Sequence, residues 1–324
     1  MIKNRFVLID AFALIFRAYY ALPATLTKDG HPIQAAYGFT SALLSAIKTL
    51  EPEYLAVGMD LPKPTNRHKE YVEYKAHRAP MPEDLSAQMP YVKDILKTMN
   101  IPTYAVEGYE GEDVIATIVA KIKANQLSAI SYPQIGNIPN SGKRKAESGK
   151  ANLEFIIVTG DLDLLQLVDE QTKVYSMARG INQAAMYDEN KVVERYGLTP
   201  QEFVDFKALK GDASDNIPGV KGIGEKTACG LIQEYKSLEN IYKNIEKISG
   251  KIQTLLIDQK EQAFLSQKLS KIQNNVPLEF RLDDSRIHDY NAQTVTKLFS
   301  HLGFKSLIGR LPEVKNGFGQ AKLL

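Results

Sequence analysis

The chain has 324 residues, is 44% hydrophobic and 24% charged, and carries a net charge of +2. This is the composition of an ordinary globular protein; it excludes a disordered, collagenous or disulfide-stapled chain, and a charge so near balance does not by itself imply a polyanionic partner. The lone Cys229 cannot form an internal disulfide, no apolar run approaches the ~18 residues that span a bilayer, and the N-terminus enters a strand pattern at once, which together lead us to expect a cytoplasmic protein.

The first half alternates apolar strands with amphipathic helices, the pattern of a mostly parallel sheet covered on both faces. Residues 6–10 read as a strand, 11–21 and 38–50 as helices, and 54–60 as the second strand. Residues 66–78 and 84–99 read as helices separated by Pro80 and Pro82. A short strand at 101–106, a helix at 111–124 and a buried strand at 153–159 follow, then a late hairpin or edge at 173–178 and 185–188. Residues 128–152 have no apolar period, are rich in Ser, Asn, Gly and Pro, and read as a mobile insertion whose Lys143, Arg144, Lys145 and Lys150 are solvated.

Beyond about residue 190 the pattern turns helical. Thr199 and Glu202 frame a capping box with Pro200 at the first helical position, and that helix stops at Gly211. The segment IPGVKGIG (217–224) leads into a helix at 225–235, with others at 237–246, 251–272 and 291–301. The expected organisation is an α/β domain over 1–190, a helical region over 191–312, and a tail or linker start over 313–324.

Nine carboxylates lie where apolar segments end or helices begin. Asp10 closes FVLID, Asp60 closes YLAVGMD, Asp161 and Asp163 follow FIIVTG, Glu110, Glu112 and Asp113 stand in GYEGEDV, and Asp212 and Asp215 in GDASDN. Ligand crevices of open α/β sheets lie outside the carboxyl ends of the strands, so these acids are expected to converge there. A single strand-end Asp is commonly a helix cap, but five segments ending this way suggest a shared site. Like charges so gathered repel, and divalent cations relieve that repulsion. All-oxygen donors with no His or Cys cluster select two Mg2+ or Mn2+ over zinc, and such a pair promotes phosphodiester displacement.

If 66–78 is helical, Arg67, Tyr71, Tyr74, Lys75 and Arg78 form one stripe of cations and aromatics suited to phosphates and unpaired bases, against the plainer reading of a solvated face. In IPGVKGIGEK, Gly219, Gly222 and Gly224 permit a tight turn whose outward amides, flanked by Lys221 and Lys226, hold a phosphate without reading sequence.

VLIDAFALIFRAYYAL, RHKEYVEYKAHRAPMPED, GYEGEDV, TGDLDLLQL and GDASDNIPGVKGIGEKTA, in this order, resemble the signatures of the 5′ nuclease domain of bacterial DNA polymerase I and, more broadly, the 5′-3′ exonuclease and flap endonuclease family. The resemblance spans about residues 5–310. It implies a PIN-like 5′ nuclease fold and a two-metal nuclease acting on 5′ flaps, nicks, single-strand/duplex junctions and RNA primers in replication and repair. Asp10, Asp60, Glu110, Glu112 and Asp113 would then form one metal group, and Asp161, Asp163, Asp212 and Asp215 the other. Arg17, Lys75 and Arg78 would hold the scissile phosphate, with Tyr74 near the unpaired nucleotide. Residues 66–99 would form an arch admitting a single strand, and IPGVKGIG a helix–hairpin–helix motif able to hold K+. Glu112 departs from the Asp of the bacterial polymerase pattern, and the 128–152 insertion is long for the family.

A DNA-binding module without turnover would be expected to lack some of the acids, and a ribonuclease of a related small α/β fold suits the acids but neither the arch nor the hairpin. A polymerase region following Leu324 and a stand-alone monomeric nuclease remain alternatives on the sequence.

Overall fold

The computed structural model describes residues 4–131 and 153–312, apart from Lys28, Arg179, residues 181–182 and residues 288–289. Most of the 128–152 insertion, with its four basic residues, and the 313–324 tail lie outside the described residues.

Hydrophobic runs too continuous to face water build the centre of one six-stranded sheet. Its strands are β1 (Arg5–Asp10), β2 (Tyr54–Gly58), β3 (Thr103–Tyr104), β4 (Glu154–Thr159), β5 (Thr172–Ser176) and β6 (Ala185–Tyr187), in the spatial order β3-β2-β1-β4-β5-β6. All pairings are parallel except the β5–β6 hairpin, which sets an antiparallel strand at one edge. In central β1, Phe6, Val7, Leu8 and Ile9 are fully buried because helices cover both faces. The register aligns Asp10 with Gly58 and Ile9 with Val158, so the residues following β1, β2 and β4 leave the sheet along one edge.

The helices, in chain order, are α1 (Ala11–Ala21), α2 (Gln34–Leu50), α3 (Asn66–Glu70), α4 (Glu83–Ser86), α5 (Met89–Thr98), α6 (Gly111–Ser131), α7 (Glu189–Tyr196), α8 (Phe203–Lys210), α9 (Glu225–Tyr235), α10 (Leu238–Lys243), α11 (Gly250–Asp258), α12 (Lys260–Ser270), α13 (Ala292–His301) and α14 (Lys305–Ile308). Phe6 and Leu8 face a core shared with α6 and with α7 to α12, while Val7 and Ile9 face one shared with α1, α2, α5 and α13. The expected division at residue 190 therefore does not separate two cores. The later helices extend the apolar cluster on one side of the sheet, and residues 290–307 belong to the cluster on the other.

Two expectations from the sequence change. The helix read over 66–78 ends at Glu70, because Tyr71 is extended (φ −143°) and Lys75 adopts a left-handed conformation (φ +55°). Residues 71–78 are instead a string of turns, so the segment expected as an arch consists of α3, these turns, α4 and α5. The capping box at Thr199 forms as read, but over a short 3-10 turn (Pro200–Glu202) that runs into α8.

One buried ion pair joins three parts of this architecture. Arg67 on α3 donates both terminal nitrogens to Asp113 of α6 at 2.8 Å each. It also donates to the carbonyls of Leu269 and Lys271 at the end of α12 (3.1 and 3.0 Å). Asp113 further accepts the Gln273 and Glu110 amides (2.8 and 3.1 Å), and the two residues are only 3% and 1% exposed. Every charged atom is paired, which makes so deep a pair tolerable. Arg67→Ala should strand Asp113 and lower unfolding free energy by about 3–5 kcal/mol in urea denaturation; a change under ~0.5 kcal/mol would deny the joint any structural weight.

Candidate active site

Four separate segments deliver carboxylates to one cavity of about 180 Å3 at the carboxyl edge of the sheet. Its walls include Asp10, Asp60, Glu110, Glu112 and Asp161, the cations Lys75 and Arg78, and the aromatic rings of Phe12 and Phe16. Asp10 caps α1 through the Ala13 amide and accepts a 2.6 Å hydrogen bond from the Thr159 hydroxyl. Thr159 in turn accepts the Asp161 amide at 2.8 Å, so one hydroxyl fixes both carboxylate-bearing loops. Asp60 accepts the Gly111 amide at the start of α6, whose positive end points at the cavity.

Crowding shows in the acid strengths. Burial, opposed by Thr159 and reinforced by Asp60 and Asp161, pushes Asp10 up to about 7. Burial and the neighbouring Glu110 also raise Asp60 and hold Glu112 well above the ordinary carboxylate range. Glu110 is the exception: burial works against its charge, but Lys75 (2.7 Å) and Arg67 (3.5 Å) outweigh it and lower its pKa.

The turns after α3 supply these cations. Lys75 reaches Glu110 and lies 3.7 Å from Asp215; burial alone would strip its proton, but those two carboxylates raise its pKa. Arg78 pairs with Asp215, which also accepts the Tyr74 hydroxyl at 3.2 Å. Asp215 thus joins the first acid group rather than the second, where the resemblance placed it. Asp161 likewise lines the first cavity. Asp113, expected as a first-group ligand, is committed to Arg67.

Four expected nucleic-acid contacts need correction. Arg67 is buried in its ion pair, because its guanidinium satisfies the acids of α6. Tyr74 is 2% exposed and packed with Ile217 and Leu269, so it is not placed to stack on a base. Tyr71 is half-buried beside it, its hydroxyl on Glu73. Arg17 lies outside the cavity lining, on the Ala178 carbonyl.

A second cluster adjoins the first through Asp161, which accepts the Asp163 amide at 2.9 Å. Here Lys207 of α8 bonds both Asp163 and Asp212. Burial, offset by Lys207 and aided by Asp161, raises Asp163 to about 6, while Lys207 and Ser214 overcome burial at Asp212 and hold it down to about 2. The sequence analysis did not single out Lys207; its signal is a lysine five residues before the first Asp of GDASDN, on a helix ending at that loop.

Two family models match in tandem: the N-terminal resolvase-like domain of 5′-3′ exonuclease over residues 5–132, and its C-terminal SAM fold over 198–293. Together they cover well over half of the chain. The chain belongs to the 5′-3′ exonuclease family. It is 39% identical over 309 residues to DNA polymerase I of Caldicellulosiruptor bescii, and 36% identical over 310 residues to that of Bacillus caldotenax. Each alignment takes in 95% of this chain but only 33% and 32% of those relatives, so the chain spans about a third of their length. Among solved structures, T5 5′-exonuclease with bound zinc matches at TM-score 0.62 and 22% identity, covering 82% of this chain and 89% of that one. The catalytic core of Rad2 with DNA substrate matches at 0.54 and 16%, covering 95% and 93%. At these identities the two structures bear on the fold.

In this family member the hairpin after GDASDN is held from within. The Gly219 amide donates to Ser266 and its carbonyl accepts Gln262, while Gln259 bonds both the amide and the carbonyl of Lys221. Gly219 (φ +63°) is obligatory, since a Cβ there would meet the Gly211 nitrogen at 2.3 Å. The amides of Gly219 and Lys221 therefore do not face outward as expected, being paired with Ser266 and Gln259, while each of their carbonyls accepts one glutamine N–H. Lys221, Gly222, Gly224 and Lys226 remain exposed, and the first turn of α9 keeps the outward amides of any helix start.

The donor set fits hard divalent cations in chemistry, being all oxygen with several members raised by burial and, secondarily, by mutual repulsion. Among the described residues, however, no three such side chains stand close enough together to hold an ion as placed. The ammonium groups of Lys75 and Lys207 occupy the space between the carboxylates instead, so holding an ion requires these side chains to turn. Because ligands must be ionised, Mg2+ should raise the melting temperature more near pH ~8 than near pH ~5.5, with stabilisation of about 2.7 kcal/mol at a hundredfold excess over Kd. Without Mg2+ the sign reverses: Asp10 and Asp163 have folded pKa values above their unfolded ones, so stability falls as pH rises from about 4 to 7. Scanning calorimetry in chelator and in Mg2+ checks both slopes.

Proposed function

We propose that this chain is a structure-specific 5′-3′ nuclease hydrolysing phosphodiester bonds in DNA with 5′ flaps, nicks or single-strand/duplex junctions, RNA primers included. The observation that carries this reading is the single cavity where Asp10, Asp60, Glu110, Glu112 and Asp161 face Lys75 and Arg78, a place for cations beside a place for a phosphate. Family membership and the similarity to solved structures of T5 flap endonuclease with DNA and metal ions and of Rad2 with DNA substrate support it.

Asp10, Asp60, Glu110, Glu112 and Asp161 would hold one divalent ion, with Asp163 and Asp212 on the neighbouring site and Asp215 between Lys75 and Arg78. Two Mg2+, or Mn2+, supply charge neutralisation on the phosphate and a water able to attack at neutral pH. The protein contributes the rest. Lys75 and Arg78 turn from their carboxylates to the phosphate oxygens and stabilise the charge that grows there. Phe12 and Phe16 offer apolar walls beside the scissile position. Lys221 and Lys226 hold the duplex by its phosphates, so binding is salt-dependent and nearly blind to sequence. We further infer a monomer of the cytoplasm with a covalently linked polymerase region, since the chain matches a third of polymerase relatives. No helix among the described residues is long and apolar enough to cross a membrane.

Asp161→Ala should abolish Mg2+-dependent cleavage of a flap substrate while affinity measured in Ca2+ stays within about twofold; normal turnover would remove Asp161 from the mechanism. Lys75→Ala should lower the single-turnover rate by about 10²- to 10³-fold with little change in Kd. A pure loss of affinity would reduce Lys75 to a tether, and comparable cutting of RNA-only substrates would point to a ribonuclease.

A further inference from the structure

The segment that carries Lys75 has little to hold it in place. Beyond Glu70 it is not helical, its own bonds are short-range (Tyr74 to Tyr71, Ala76 to Glu73, Arg78 to Lys75), and Val72, Ala76 and His77 are exposed. Lys75 itself stands at φ +55°, a backbone state that lysine does not favour. Apart from side-chain bonds of Lys75 and Tyr74 to Glu110, what fixes its backbone comes from the loop between α8 and the hairpin. The Lys75 amide donates to the Asp215 carbonyl at 2.9 Å, and the Asn216 side-chain amide donates to the Glu73 carbonyl at 2.6 Å. Between these two bonds, Tyr74 is buried against Ile217.

That loop is rigid for its own reasons. Asp212 and Ile217 exchange both backbone hydrogen bonds at 2.8 Å, closing residues 212–217 into a ring. Asn216 also sits at φ +55°, a state that Asn tolerates better than most residues. Three residues beyond Asn216, the chain is pinned at Gly219 to Ser266 and enters the exposed hairpin. A short stiff path thus runs from the hairpin through Asn216 to the backbone around Lys75, and Asn216 does not line the acidic cavity.

We infer that Asn216 is a positioning residue: it clamps the turn at 73–75 to the hairpin-bearing loop, so that a duplex seated on the hairpin fixes where the Lys75 ammonium stands. This rests on the nuclease reading of the cavity. Asn216 touches neither phosphate nor acids and acts only through the Glu73 carbonyl. Asn216→Asp keeps shape and backbone preference but turns an acceptor toward that carbonyl; Asn216→Gly keeps the backbone state and removes the bond.

The test is a double-mutant cycle with Lys75→Ala, read as single-turnover cleavage of a 5′-flap substrate in Mg2+, with Kd in Ca2+ and melting temperature alongside. Both Asn216 variants should cut about tenfold more slowly at unchanged Kd and melting temperature, and Asn216→Asp should cost nothing further in the Lys75→Ala background. A wild-type rate, an equal loss in both backgrounds, or a loss confined to Kd overturns the inference. Trypsin nicking after Lys75 or Arg78, which needs no activity, should be faster in both variants; unchanged nicking also overturns it. Failure of the wild-type protein to cut any flap substrate would sink the nuclease reading, leaving the trypsin result to decide the clamp by itself.

Discussion

Electrostatic crowding at the open edge of a parallel sheet is the constraint from which most of this structure follows. Parallel strands place their ends side by side, so Asp10, Asp60 and Asp161 leave the sheet together, and α6 adds Glu110 and Glu112 from the flank. Buried like charges at such spacing shed ionisation unless positive groups stand among them. The protein supplies several, and three come from different elements: Arg67 from α3, Lys75 from the turns beyond it, where Arg78 joins it, and Lys207 from α8. Each compensating cation therefore also ties a segment to the site, so charge balance and tertiary architecture are one problem.

The three cations solve it in different ways. Arg67 is saturated by bidentate and carbonyl contacts and is a permanent joint. Lys75 and Lys207 make fewer bonds, on flexible stems, and can trade a carboxylate for another anion without unfolding anything. A bound divalent ion would do their electrostatic work and free them. Compensation by lysine is what keeps these acids together in this structure.

Much of this was legible in the sequence. Continuous apolar runs announced β1, β2 and β4, and the acids that end them announced the edge where they meet. What pattern could not show was competition between partners. Arg67, Tyr74 and Arg78 recur at helical spacing, yet Arg67 prefers the buried Asp113 and Tyr74 the pocket beside Ile217, and these long-range contacts override the local helix. The grouping of Asp215 with Lys75, and the pairing of the Gly219 and Lys221 amides with Ser266 and Gln259, likewise depend on residues distant in sequence. Lys207 was missed because a lone lysine on a helix carries no signal until the loop after it is seen to fold back. The boundary drawn at 190 followed a real change of pattern, from strands to helices, but pattern does not report which apolar surfaces share an interior.

That shared interior has its own consequence. The apolar cluster around Phe6, Leu8 and Phe155 takes in side chains of α6 and of α7 to α12, while residues 290–307 close the cluster on the opposite side. A ribosome must therefore release the chain through about residue 307 before both greasy surfaces are fully shielded. Swapping the later helices for others would mean redesigning the apolar side chains they meet in that shared interior.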